Sequence, residues 1–130
     1  MNQHIAHVTL LVRNYDEAIG FYTNVLGFTL TSDQALGNGK RWVVVTPPGT
    51  AGCSLLLAEA KTEEEKRGVG QQGAGRVWLF LYTDDFWRDY PALQAQGLHF
   101  LEAPRSEVYG HVAVFEDLYG NKWDLLEPLD

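Results

Sequence analysis

An internal repeat constrains this chain more than any other feature. Residues 5–13 read as a strand rich in β-branched and apolar residues. Residues 76–83 read as another, with Val-Trp-Leu-Phe-Leu-Tyr at its centre. A helix signal follows each. Asn14 caps the first, with Glu17 three residues on; Tyr15, Ala18, Ile19, Tyr22 and Leu26 then recur at helical spacing until Gly27 stops it. Asp84 and Asp85 offer the second cap, Pro91 predicts a kink, and Gly97 ends the stretch. Three short strands follow each helix, near 28–33, 41–46 and 53–59, then near 98–103, 111–116 and 122–127. Asn38-Gly39 reads as a hairpin turn, Pro47-Pro48-Gly49 as a loop, and Asp117 to Asn121 as the last turn.

The order is therefore β-α-β-β-β, twice. Val25-Leu-Gly-Phe28 echoes Ala95-Gln-Gly-Leu98, with glycines 97 − 27 = 70 residues apart. Leu55-Leu-Leu-Ala-Glu59 echoes Trp123-Asp-Leu-Leu-Glu127, with glutamates 127 − 59 = 68 apart. Neither half is large enough to bury a sheet face alone. One domain of residues 1–130 is expected, with module one at 1–59, a linker at 60–75 and module two at 76–130. The linker joins a charged run, Lys61 to Arg67, to a glycine-rich stretch ending at Gly75. It reads as a solvated connector or as a mobile loop over a pocket.

Charge and cysteine content narrow the function. Ten Lys and Arg against seventeen Asp and Glu leave a net charge of −7. That argues against nucleic acid and anionic membranes as main partners. No stretch approaches the roughly 18 uncharged apolar residues of a membrane span, and the first residues do not read as a signal peptide. The single cysteine, Cys53, allows neither an internal disulfide nor a thiolate metal cluster within one chain. A cytoplasmic location is expected.

The segment His7 to Phe28 resembles the first βα unit of the vicinal oxygen chelate superfamily. That superfamily includes glyoxalase I, bleomycin- and fosfomycin-resistance proteins and extradiol dioxygenases. Phe115 to Glu127 resembles its closing hairpin. The resemblance implies an α+β fold in which two βαβββ modules form a U-shaped mixed sheet around a cavity. It also implies a homodimer and a small-molecule ligand. In metal-using members, the first and fourth strand of each module supply the ligands. Carried over one at a time, those positions fall on His7, Leu56, Trp78 and Asp124. His7 and Asp124 can bind a divalent metal (Mn, Fe, Ni or Zn); Leu56 and Trp78 cannot. Glyoxalase I and extradiol dioxygenase activities need fuller ligand sets than this.

Strand alternation lists the expected cavity wall. His7 brings Thr9, and Leu56 brings Ser54. Trp78 brings Arg76, Phe80 and Tyr82, and Asp124 brings Lys122. Arg76 could clamp an anionic group. Trp78 could be a platform for a flat ligand or simply core. Tyr109 lies near the cavity mouth in related proteins. The face shown by Trp42 is open. Three functions remain. His7 and Asp124 could hold a weakly bound metal in a lyase, isomerase or dioxygenase acting on a substrate with vicinal oxygens. The pocket could instead be a metal-free binding site that sequesters an antibiotic or metabolite. His7 or Asp124 could also act as a metal-free general base.

Overall fold

In the computed structural model, which describes residues 1–49 and 52–129, the expected order occurs twice, with one helix and one strand added. Residue 130, the last of the expected second module, lies outside the described residues. The chain divides into two units, Met1–Val69 and Gly70–Asp130.

In the first unit, β1 (His7–Val12) leads into α1 (Tyr15–Asn24), then β2 (Thr29–Gly37), β3 (Lys40–Thr46) and β4 (Ser54–Glu59). The sheet order is β1-β4-β3-β2; β1 runs parallel to β4 and the other pairs are antiparallel. The Asn14 side chain accepts the Glu17 N–H at 2.9 Å, as the cap signal implies. Gly27 ends the helix at φ 75°, where a side chain would be strained. Leu10, Val12, Leu55, Leu57, Val43 and Val45 alternate onto one buried face, with Tyr15, Ala18 and Tyr22 of α1 also buried. Arg41 ties three elements together, pairing with Asp33 on β2 and with Asp16 at the start of α1.

Part of the expected linker is helical. Helix α2 (Glu63–Gly68) carries a capping box: Thr62 accepts the Glu65 N–H, and the Glu65 carboxylate accepts the Thr62 N–H. The sign was Thr62 followed by Glu65 inside the charged run. Reading that run by composition alone hid it.

The second unit holds β5 (Val77–Tyr82), α3 (Phe86–Ala95), β6 (His99–Phe100), β7 (Arg105–Glu107), β8 (Gly110–Glu116) and β9 (Lys122–Pro128). The sheet runs β5-β9-β8-β6, with β7 also paired to β8. Again the first and last strands are parallel. Asp85 caps α3, and the helix continues through Pro91 to Ala95. One face of this sheet forms an aromatic core. Trp123 stacks on Phe115, Phe115 meets Phe100, Phe100 meets Tyr90, and Tyr90 stacks on Phe86. Apart from the added α2 and β7, expected and observed elements agree in type, and the fold is α+β with two modules.

Candidate functional site

Register fixes which side chains share the sheet face opposite each buried face. In the first unit, His7 pairs with Ser54, Thr9 with Leu56, and Leu56 with Val44. His7 and Thr9 are exposed, and Leu56 is half-buried. Trp42 joins this face: its ring lies 5.9 Å from the His7 ring at 77°. The Ser54 hydroxyl is engaged at 2.8 Å with Thr46, which meets Thr31 at 3.0 Å. Ser54 therefore sits within a line of hydroxyls that crosses the sheet.

In the second unit, Phe80 pairs with Asp124, and Asp124 with Val114. Tyr82 pairs with Leu126, Leu126 with Val112, and Val112 with Arg105. These seven residues share one face. The repeat holds in the register: Thr9–Leu56 corresponds to Phe80–Asp124, at offsets of 80 − 9 = 71 and 124 − 56 = 68. Phe80 is 59% exposed and Tyr82 64%. Two large aromatic side chains left in solvent on a sheet face mark a surface that meets something.

The alternation stops at Trp78. The β5–β9 register shifts between Val77 and Leu79, so Trp78 does not continue the row of Phe80 and Tyr82. Its ring meets Trp123 edge-on at 5.7 Å, beside the aromatic core. A one-residue irregularity is invisible to a period-two reading. Arg76 is exposed just before β5, and its N–H donates to the Gly73 carbonyl. Lys122 turns its Nζ to the Gly75 carbonyl at 3.2 Å.

Asp124 is 7% exposed, and its Oδ1 has no hydrogen-bond partner among the described residues. Burial pushes its carboxyl above the usual range; nearby Arg105 pulls it down and Glu102 pushes it up. Arg105 is bound on both sides, donating to Glu102 at 2.6 Å and to Glu107 at 3.0 Å. Its guanidinium is held well above its ordinary value by Glu102, Tyr109 and Glu107. Tyr109 is about half exposed. Sequence reasoning missed Arg105 and Glu102. Arg105 opens β7, whose three residues are too few to show a period, and Glu102 lies in the bend before it.

Of the four positions at which metal-using proteins of this plan place ligands, Leu56 has no donor atom, and the Trp78 indole nitrogen has no free lone pair. Two donors fall short of the three or four protein ligands of a resident metal. Among the described residues, no group of three or more His, Cys, Asp or Glu is placed to hold a metal ion. The donor set does not fit one. The face can instead stack, exclude water and accept a hydrogen bond.

Comparison with known proteins agrees with this plan. The chain is 56% identical over 131 residues to an uncharacterised protein of Shewanella frigidimarina, covering all of this chain and 97% of that one. It is 26% identical to the Bacillus subtilis protein YetH, covering 98% of this chain and 100% of that one. Among solved structures, UcmS2 superposes with a TM-score of 0.85 at 27% identity, covering 98% and 99% of the two chains. TnmS3, an antibiotic binding protein from Streptomyces sp. CB03234, superposes with a TM-score of 0.77 at 30% identity, covering 98% of each. No helix among the described residues is long and apolar enough to cross a membrane. The pattern of one superfamily matches residues 4–125. The chain belongs to the Glyoxalase/Bleomycin resistance protein/Dioxygenase superfamily.

Proposed function

We propose that this protein binds and sequesters a small, flat organic molecule without a metal, in the manner of an antibiotic- or metabolite-binding member of its superfamily. One observation carries the reading: Phe80 and Tyr82 stand exposed side by side on an ordered sheet face. Stacking on such rings adds roughly 0.5–1.5 kcal/mol per pair beyond the area buried. The likeness to TnmS3 supports the same class of role. In this reading His7, Trp42, Thr9 and Leu56 offer the corresponding face of the first unit, and the working form is a homodimer.

A thermal-shift screen of planar aromatic compounds tests the reading, followed by titration of tryptophan emission. Phe80→Ala with Tyr82→Ala should weaken each hit at least about tenfold. No shift with any compound in the screen overturns the reading. Anaerobic calorimetric titration with Mn(II), Fe(II), Ni(II) and Zn(II) tests the competing one. Stoichiometric binding lost in both His7→Ala and Asp124→Ala would establish a metal site built from these two residues and turn the search to substrates with vicinal oxygens.

A further inference from the structure

The binding reading leaves one group unused. Asp124 is more than nine-tenths buried, has an acceptor oxygen without a hydrogen-bond partner among the described residues, and shares its row with exposed Phe80. Burying such an oxygen without a hydrogen bond costs free energy, so its presence asks for a partner that arrives from outside. The neighbouring residues do not supply one. Arg105, on the same face, is taken by Glu102 and Glu107, and Lys122 by the Gly75 carbonyl. Two carboxylates against one guanidinium leave that cluster negative before Asp124 is counted. Val114 and Phe80, the cross-strand neighbours of Asp124, carry no polar side-chain atom.

We propose that Asp124 is the specificity-determining anchor for a planar aromatic cation, whose N–H group donates to the free carboxylate oxygen while its ring lies along Phe80 and Tyr82. This rests on the binding reading and names its ligand class. A charge-assisted hydrogen bond in a desolvated site is strong, and an unpaired carboxylate rejects anions of the same shape.

Three probes of similar shape separate the possibilities: cationic proflavine, neutral anthraquinone and anionic anthraquinone sulfonate. Each is titrated against the full chain, against Asp124→Asn and against Asp84→Asn, the last of which removes an exposed carboxylate that pairs with Arg88. Proflavine should bind best. Asp124→Asn should weaken it roughly ten- to a hundredfold and leave anthraquinone unchanged. Asp84→Asn, with the same change in net charge, should leave all three unchanged. If the three probes bind the native chain equally, or if Asp124→Asn leaves proflavine binding intact, the anchor is overturned while the binding reading stands. If none binds, the anchor is overturned, and the binding reading stands or falls on the wider screen of planar compounds.

Discussion

The His7 imidazole meets the Trp42 ring edge to face, with centroids 5.9 Å apart. Trp42 is 38% exposed, so the imidazole is part of what shields it. His7→Ala should uncover the indole and shift tryptophan emission to the red. Trp42→Phe should abolish that response. Emission unchanged by His7→Ala would mean the contact is not kept in solution.

Asp124 costs the fold stability at neutral pH. Burial raises its carboxyl above the ordinary value of 3.8, so the folded chain holds the proton more tightly than the unfolded chain. Its contribution is full below the unfolded carboxylate value and is lost as pH rises through the folded one. Asp124→Asn should therefore raise Tm by about a few degrees at neutral pH, with the gain shrinking below the ordinary carboxylate range. Melting curves across that range check this. A variant that is more stable yet binds less well separates a binding role from a structural one.

Gly110 opens β8 at φ 155°, and a Cβ there would lie 2.2 Å from the Glu127 carbonyl oxygen. That oxygen belongs to the neighbouring backbone and has little room to retreat. Gly110→Ala should cost about 1–3 kcal/mol in chemical denaturation. The same strain would disturb Glu127, whose carboxylate accepts the Phe86 N–H at 2.7 Å at the start of α3.

Phe115 is fully buried, stacked on Trp123 at 5.6 Å and edge-on to Phe100 at 5.8 Å. Phe115→Ala removes the middle of the aromatic core and should cost roughly 3–5 kcal/mol. The loss should show as a lower denaturation midpoint with an unchanged slope.

Helix α2 has six residues, and none of them is buried. Its order rests on the box made by Thr62 and Glu65. Hydrogen bonds from the Lys61 and Thr62 N–H groups hold the Glu65 carboxyl below its usual range. Thr62→Ala should destabilise the helix by about 1 kcal/mol and speed amide exchange over Glu63–Gly68. Exchange elsewhere should stay as it was.

The sequence made the elements legible wherever a period had room to run. Tyr15 to Leu26 carried a helix, and the repeat carried its counterpart in the second half. The echoes at offsets of 70 and 68 lie close to the offsets of 80 − 9 = 71 and 124 − 56 = 68 that relate the register pairs Thr9–Leu56 and Phe80–Asp124. What stayed hidden was short or irregular. The shift at Trp78 moves a bulky ring out of the Phe80 row, and no local residue choice announces it. Arg105 reaches the region of Asp124 from a three-residue strand whose pairing is set by β8. The face of Trp42 depends on how β3 pairs with its neighbours, which the strand's own residues do not specify.

In each unit the strand at the centre of the pairing is made late. β4 lies between β1 and β3, and β9 between β5 and β8. A ribosome that has released β5, α3 and β8 has made two strands with no common partner. The second sheet can close only once Lys122–Pro128 has emerged, and the carboxylate of Asp124 arrives with that closing strand. A chain cut before Lys122 would therefore lose the keystone of its second half rather than a dispensable tail.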